Sequence, residues 1–143
     1  MAEKNYLVPV DFSKSSLAAL NYAARLAKEN GKSILTLVHV ITDSTAPVPF
    51  YMRENFFETL ERETRQKLDK LIKRKNMRSL DCRLSIVQGA DAAKAVAVEA
   101  KKRRAAMIVM GTEGRTGVNR FVSGSVAEKT VRYAPCPVLI VKS

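Results

Sequence analysis

The sequence predicts an α/β protein: an open, five-stranded parallel sheet with helices on both faces. Three observations lead to this fold class. Apolar runs of strand length alternate with segments whose apolar residues recur at helical spacing. The apolar runs are continuous, as in strands that are covered on both faces. A length of 143 residues fits one domain, and we expect residues 1–143 to form it.

The predicted elements alternate strictly along the chain. The strands are Tyr6–Val10, Ile34–Ile41, Cys82–Gln88, Ala106–Met110 and Pro137–Val141. The helices cover roughly 17–27, 56–72, 93–104 and 124–133, and the first is stopped by Asn30-Gly31. The second helix has an apolar face formed by Phe56, Phe57, Leu60, Leu68, Leu71 and Ile72. Its opposite face has four acid–base pairs at i,i+4, so we interpret that face as solvated.

Composition and charge narrow the class of protein. The chain is 46% hydrophobic and 27% charged, which is typical of globular proteins. Its longest apolar runs are about six residues, far below the ~18 that span a bilayer. No apolar signal core occurs near Met1, so we expect a soluble, cytoplasmic protein without membrane contact. Cys82 and Cys136 lack metal-site spacing and are interpreted as buried thiols in a reducing compartment.

The most unusual stretch runs from Gly111 to Ser125 and holds four of the six glycines. It follows the fourth strand, and ligands bind such sheets beyond the carboxyl ends of the strands. Glycines let N–H groups approach an anion, and the start of the next helix favours phosphate. A phosphate site is therefore one interpretation. Two others stay open, because Ser125 and Glu128 also form a capping box and glycines can simply make a turn.

The spacing of this stretch carries a family resemblance. It fits neither GxxxxGK[ST] nor GxGxxG. However, Gly111-x2-Gly114-x9-Gly124-Ser125 resembles, without a gap, the nucleotide-binding motif of the ATP-binding branch of the universal stress protein (UspA-like) family. The resemblance covers the whole chain, including LVPVDFSKSSLAAL, LVHVI and the ending APCPVLIVKS. It implies an adenine nucleotide alpha hydrolase-like fold. The family usually has Asp where this chain has Ala106, at the strand end opposite the loop.

The resemblance also implies a nucleotide site, with ATP as its ligand and Mg²⁺ as an optional companion; ADP and AMP stay open. Asp11 and the main chain of Val40 would hold adenine, and Pro9 and Gly111 would lie by the ribose. The phosphates would be held by Gly114, Arg115, Gly124, Ser125 and Val126. Met110, Thr112 and Gly117 complete the expected site.

The positions of Asp11 and Gly111 predict the strand order. Asp11 follows the first strand and Gly111 the fourth, so both serve one ligand only if these strands are neighbours. Right-handed crossovers then give the order 3-2-1-4-5. Asp11 also has a simpler explanation, which is capping of the first helix, although Ser13 could cap it instead.

Two functions of different classes are compatible with these residues. The first is a regulator of the stress-response type, in which nucleotide occupancy modulates assembly or the binding of an unidentified protein partner. The alternative is a slow ATPase or nucleotidyl-transferring enzyme on the same fold. No dedicated catalysis is expected, because the single histidine, His39, is expected to be packed in its strand and no Ser-His-Asp set occurs.

The net charge of +11 raises the question of nucleic acid. Many of the cations fall in the last turns of helices, where they complement helix dipoles, and no aromatic residues interleave them. Nucleic acid is therefore not the expected partner. The fifth strand is an apolar sheet edge, which predicts a homodimer through Val138–Val141, as the resemblance also implies. A monomer whose edge is masked by the loop before the second helix is the alternative.

Overall fold

The computed structural model describes residues 3–42, 48–112 and 125–143, with the main chain alone at Ser125. Its strands are β1 (Lys4–Pro9), β2 (Ser33–Ile41), β3 (Asp81–Gln88), β4 (Met107–Gly111) and β5 (Val138–Val141). Its α-helices are α1 (Lys14–Glu29), α2 (Arg53–Arg74), α3 (Ala92–Lys102) and α4 (Ser125–Tyr133), and a 3₁₀ turn, Phe50–Met52, precedes α2. The strands form one parallel sheet in the order β3-β2-β1-β4-β5, which confirms the predicted fold class and order.

The helices divide between the two faces of the sheet. Successive residues of a strand point to opposite faces. On β1, Tyr6 and Val8 pack with buried residues of α1 and α2, such as Leu20 and Leu68. Leu7, between them, packs with residues of α3 and α4 on the other face. The continuous apolar runs of the sequence are explained by this burial on both sides.

Side chains cap the starts of two helices. Ser13 precedes α1, and its side chain accepts a hydrogen bond from the N–H of Ser16. Asp91 precedes α3 and accepts a hydrogen bond from the N–H of Lys94 (3.3 Å). Such caps satisfy N–H groups that have no partner within the helix. Because α1 follows β1 and α3 follows β3, both helices begin at the carboxyl edge of the sheet, where those strands end.

Left-handed residues end three helices at the amino edge of the sheet. Gly31 (φ 75°), Asn76 (φ 55°) and Arg104 (φ 51°) occupy this conformation after α1, α2 and α3. After α3, the N–H of Ala105 donates to the carbonyl of Ala100 (2.9 Å), which is the reverse bond of a Schellman motif. Glycine is the usual residue at such a position, and Arg104 is the exception among these three.

The cysteines differ from the expectation of burial. Cys82 and Cys136 are free and only half-buried. Cys82 lies on β3 and Cys136 just before β5, and these strands form the two lateral edges of the sheet, where only one neighbouring strand covers them. Burial raises the pKa of both thiols, and the charge of Asp81 raises that of Cys82 further.

Helix α2 is less buried than its apolar pattern predicts. Leu68 is buried, whereas Phe56, Phe57 and Leu60 are only half-buried. At 22 residues the helix is about 33 Å long, and its buried residues, Thr64, Leu68 and Leu71, lie in its second half. Of the four predicted acid–base pairs on the opposite face, Glu61–Arg65 (3.7 Å) is the one that forms an ion pair among the described residues. Across residues 3–42, 48–112 and 125–143, no helix is both long and apolar enough to cross a membrane.

Candidate functional site

The central strands β1 and β4 separate towards their carboxyl ends. Their pairing ends at Leu7 and Ile108. Beyond that point, β1 still pairs with β2 as far as Pro9, and β4 pairs with β5 as far as Gly111. We call the resulting gap, between Pro9 and Gly111, the β1–β4 cleft. It lies where the strand order reverses, which is the usual ligand site of an open α/β sheet.

The first turn of α1 forms the floor of this cleft because Gly111 lets it come close. A Cβ atom at Gly111 would lie 2.6 Å from the main-chain carbon and oxygen of Ser15, and it would also collide with Oγ of that residue. Ser15 is itself buried. Packing between α1 and β4 therefore requires a glycine at position 111. Sequence reasoning assigned this glycine to a ligand and missed the packing requirement.

A tight polar turn links β1 to α1. Oδ1 of Asp11 accepts a hydrogen bond from the N–H of Ser13 (2.9 Å), and Oγ of Ser13 accepts one from the N–H of Ser16 (3.1 Å). Ser13 is thus the cap of α1, and Asp11 is not needed in that role. Oδ2 of Asp11 has no hydrogen-bond partner within the described part of the chain. This half-buried carboxylate therefore keeps an acceptor at the carboxyl edge of the sheet.

An aromatic contact fixes this turn against β2. Phe12 has a left-handed backbone (φ 66°), which is strained for an aromatic residue, and its ring lies 5.6 Å from the ring of His39. Nδ1 of His39 is 2.7 Å from the carbonyl oxygen of Val10, so this nitrogen carries the proton and donates it to that oxygen. His39 is confirmed as a packed strand residue. The role of Phe12 was missed, because a phenylalanine in the sequence gives no sign that its backbone will be left-handed.

The main chain of Val40 points over the end of β1. In a parallel strand, the N–H and C=O groups of alternate residues face the same neighbour. The carbonyl of Val38 accepts a hydrogen bond from the N–H of Val10 (2.7 Å), so it faces β1. The main-chain groups of Val40, two residues later, face the same side, where β1 has already ended. This geometry fits the expectation that Val40 acts through its main chain.

The described members of the expected site lie together at the carboxyl edge. They are Pro9, Asp11, Val40, Met110, Gly111, Thr112 and Val126, with the main chain of Ser125. The side chain of Met110 is only 5% exposed and packs beneath α3 and α4. Its main chain, two residues after Ile108, faces β5, so it does not face the cleft. Val126 is exposed in the first turn of α4. Gly114, Arg115, Gly117 and Gly124 lie outside the described residues.

Fold and site together define a doubly wound α/β protein whose candidate site lies at the switch point of the sheet. The model of the universal stress protein family matches residues 3–142, and the chain belongs to that family. A universal stress protein of Methanocaldococcus jannaschii is 34% identical over 140 residues, which cover 97% of this chain and 82% of that protein.

Solved structures share the fold over almost the whole chain. Hypothetical protein MJ0577 is 26% identical with a TM-score of 0.83, and the match covers 98% of this chain and 96% of that one. A universal stress protein in complex with cAMP has 22% identity, a TM-score of 0.65 and coverage of 99% and 98%. A family member from Arabidopsis thaliana with AMP bound has 18% identity, a TM-score of 0.67 and coverage of 97% and 91%.

Proposed function

We propose that this protein binds an adenine nucleotide, with ATP as the first candidate, in the β1–β4 cleft. The observation that carries the proposal is the separation of β1 and β4 beyond Leu7 and Ile108, which leaves room for a ligand at the switch point. Membership of the family supports it. Two structures with the same fold hold cAMP and AMP, which supports an adenine nucleotide as the ligand.

Different residues of the cleft would contact the adenine and the ribose of the ligand. The free carboxylate oxygen of Asp11 and the main chain of Val40 would hold adenine, because one accepts and the other both donates and accepts hydrogen bonds. Pro9 and Gly111 would lie by the ribose. Met110 and Thr112 flank Gly111, and Met110 would contribute by holding this part of β4 in place, since its side chain is buried and its main chain faces β5.

The phosphates are assigned to the chain that leads into α4. This helix runs antiparallel to the strands, so its first N–H groups, at Ser125 and Val126, face the carboxyl edge and favour an anion. The motif assigns the same task to Gly114, Arg115, Gly117 and Gly124. In the described part of the chain, no group of three His, Cys, Asp or Glu could hold a metal ion. A Mg²⁺ ion that accompanies ATP would be bound through the phosphates and would keep several waters, as is usual for this ion.

We propose a regulatory rather than a catalytic use of the nucleotide. Occupancy of the cleft would change assembly or the binding of a protein partner in the stress response, in the cytoplasm. Among the described residues, the single histidine is held by Val10 and Phe12, and Asp11 is the one carboxylate that follows β1 into the cleft. The competing hypothesis, an ATPase or nucleotidyl-transferring enzyme, requires turnover that rises with a second substrate. A regulator should bind ATP and turn it over very slowly.

Calorimetric titration of ATP into the purified protein tests the proposal. Gly124→Val should weaken binding by about tenfold or more, because a branched side chain blocks the approach of the backbone to phosphate. Ser125→Ala should weaken it less, since only one hydroxyl is lost. Gly31→Ala is the matched control, because it also replaces a glycine but lies at the opposite edge. Equal affinity of the wild type and Gly124→Val would show that the loop is wrongly assigned.

We also propose a homodimer through β5. Within the described residues, β5 has a strand neighbour on one side alone, and all four of its residues are half-buried. The N–H of Ile108 donates to the carbonyl of Pro137 (3.0 Å), so alternate residues of β5 face β4 from there on. The N–H groups of Val138 and Ile140 consequently point outwards, and a second copy can pair with them.

The double variant Val138→Pro/Ile140→Pro tests this pairing. It removes the two outward donors and leaves the bonds from β5 to β4 intact, since proline is tolerated where the N–H faces solvent. Light scattering should show a dimer for the wild type and a monomer for the variant. Lysine at Leu139 or Val141 is a poorer test, because it would place a charge against the core under α1 and α2. Val138 and Ile140 pack against the core on the other face, where proline keeps an apolar side chain. A wild-type monomer at micromolar concentration would refute the dimer.

A further inference from the structure

The amino edge of the sheet, opposite the β1–β4 cleft, carries a dense set of cations. Lys4 and the three segments 28–32, 73–78 and 101–104 hold eleven of the 25 Lys and Arg residues and one acid, Glu29. We call these four pieces of chain the basic edge. The segments are the ends of α1, α2 and α3 with the residues that follow, and Lys4 begins β1.

Few acids neutralise the basic edge: Glu29 lies within it, and Glu3 and Asp81 adjoin it, of which Asp81 pairs with Arg83 (3.0 Å). Arg103 is bound to Glu99 by an ion pair of 2.8 Å. The other ten cations form no ion pair with any residue that the structure describes, and Lys75 donates to a neutral partner, Oδ1 of Asn21 (2.8 Å). All ten are exposed except Lys75, which is half-buried. The edge therefore presents positive charge to solvent.

Helix dipoles account for half of this set. Cations in the last turn of a helix complement its dipole. Five of the ten lie in such turns: Lys28, Lys73, Arg74, Lys101 and Lys102. The other five lie outside them: Lys4, Lys32, Lys75, Arg78 and Arg104. Lys4 lies on β1, and the other four lie at or beyond helix C-caps, where the dipole stabilises a cation less than in the last turn.

Arg104 occupies a backbone conformation in which another residue type is usual. Its backbone is left-handed (φ 51°), at the position after α3 where glycine is usual. A residue with a Cβ atom costs about 1 kcal/mol there relative to glycine. The exposed side chain forms no ion pair in the described part of the chain, so no ion pair offsets this cost.

Hydrogen bonds bring the segments of the basic edge together. The N–H of Lys4 donates to the carbonyl of Lys32 (3.4 Å). Nδ2 of Asn5, next to Lys4, donates to the carbonyl of Arg103 (3.2 Å). The strands that these segments enter, β3, β2, β1 and β4, are consecutive in the sheet. At about 4.8 Å per strand, the edge is about 15 Å wide.

We propose that the basic edge binds the phosphate backbone of double-stranded nucleic acid, without reading base sequence. A duplex carries one negative charge per about 1.7 Å of its axis, so an edge of this width meets many phosphates. The absence of interleaved aromatic residues argues against stacking on single strands, but it does not affect contacts to a duplex backbone. The proposal departs from the expectation drawn from sequence, which was that nucleic acid is not a partner because helix dipoles explain many of the cations and no aromatic residues interleave them.

A protein partner fits the basic edge less well. Protein interfaces have aromatic or apolar residues at their centre and few lysines. The large apolar side chains that are exposed lie elsewhere, on Phe50–Met52, α3 and α4, and none of them falls within the basic edge. Seven of the ten unpaired cations are lysines. Interfaces with nucleic acid are strongly positive and polar, as this edge is.

Fluorescence anisotropy with a labelled DNA duplex of about 20 base pairs tests the proposal, in saturating ATP so that the nucleotide site is blocked. The wild type should bind at about 50 mM salt and lose affinity steeply towards about 200 mM. The variant Lys101→Gln/Lys102→Gln/Arg104→Gly should bind about tenfold more weakly, with a salt slope smaller by about 0.9 for each lost phosphate contact. The matched control, Arg25→Gln/Arg62→Gln/Lys129→Gln, loses the same charge elsewhere and should bind like the wild type.

Arg104→Gly alone separates binding from folding. Glycine suits the left-handed backbone, so the melting temperature should not fall, while duplex affinity should drop by about threefold. Either of two outcomes would overturn the proposal: no binding at about 50 mM salt, or equal losses of affinity in the edge and control variants. Equally tight binding of poly-glutamate of matched charge would also overturn it, because the edge would then favour an acidic polypeptide as much as a phosphate backbone.

Discussion

The two edges of the sheet close in different ways. At the carboxyl edge, β1 and β4 part after Leu7, and no pairing joins them beyond it within the described residues. At the amino edge, the N–H of Ala106 donates to the carbonyl of Asn5 (2.8 Å). The side chain of Asn5 is held in turn by the hydroxyl of Thr36 (2.9 Å) and the carbonyl of Arg103 (3.2 Å). The cleft can open at one edge because these bonds hold the same strands together at the other.

Charge follows the same division, and helix direction explains it. The helices run antiparallel to the strands, so their N-termini lie at the carboxyl edge and their C-termini at the amino edge. N-termini favour anions such as phosphate, and C-termini favour cations. One edge is thus suited to a bound nucleotide, and the other presents lysine and arginine. A test of this contrast must change one edge and leave the other intact.

The largest expected effect is the loss of stability in Gly111→Ala. The new Cβ would lie 2.6 Å from the main chain of Ser15, so helix or strand must shift. We expect the free energy of unfolding in urea to fall by about 3 kcal/mol, as in strongly overpacked sites. Gly31→Ala is the control: its Cβ would meet open space, and the left-handed backbone alone should cost about 1 kcal/mol. Similar losses in both variants would contradict the close approach at the cleft.

The next effect concerns a buried network beside the amino edge. Ser85 Oγ and Arg103 Nε both donate to Oε2 of Glu99 (2.8 Å each). Burial raises the pKa of Glu99, but the bonds from Arg103 and Ser85 and the nearby positive charges outweigh it, so the pKa lies below its usual value. Glu99→Gln should lower the free energy of unfolding at neutral pH by about 1–3 kcal/mol, because a charge-assisted bond is lost.

The free energy of unfolding that Glu99 contributes should depend on pH in a definite direction. The folded pKa of Glu99 is lowered, so its contribution is complete above the unfolded pKa and is lost as the pH falls through the folded value. The stability difference between the wild type and Glu99→Gln should be constant above about pH 6 and shrink below about pH 4. Ser85→Ala should show a smaller loss of the same kind. A difference that grows on acidification would mean that the carboxylate is not the stabilising form.

The smallest effect on stability should come from Asp11→Asn, with a clear effect on binding. The amide oxygen can still accept the bond from the N–H of Ser13, so stability should change by less than about 0.5 kcal/mol. ATP affinity should fall by about tenfold, because the charged acceptor at the cleft is replaced. Ser13→Ala is the reverse case: it removes the cap of α1, should cost about 1 kcal/mol, and should leave affinity nearly unchanged. Titration calorimetry and urea unfolding on both variants separate the two roles.

The architecture is well predicted from the sequence, because it is determined by patterns along the chain. Continuous apolar runs give the strands, and right-handed crossovers with Asp11 and Gly111 on one ligand give the strand order. Helix ends follow from local signals such as Ser13 and Asn30-Gly31. These features need no knowledge of distant contacts.

The details that shape the two edges depend on contacts between distant residues. The approach of Ser15 to Gly111 arises only when α1 packs beside β4. The contact of Phe12 with His39 needs a left-handed backbone that its residue type disfavours. The binding of Ser85 to Glu99 joins β3 to α3 across the core. Such contacts are set by tertiary packing, and periodicity within a segment does not reveal them.

Amide hydrogen exchange with and without ATP tests the central contrast most directly. We expect slower exchange on adding ATP in peptides that cover residues 9–16 and 111–126, at the carboxyl edge. Peptides that cover 73–80 and 101–105, at the amino edge, should exchange at an unchanged rate. Protection confined to the amino edge, or no protection anywhere at saturating ATP, would contradict a nucleotide site in the β1–β4 cleft.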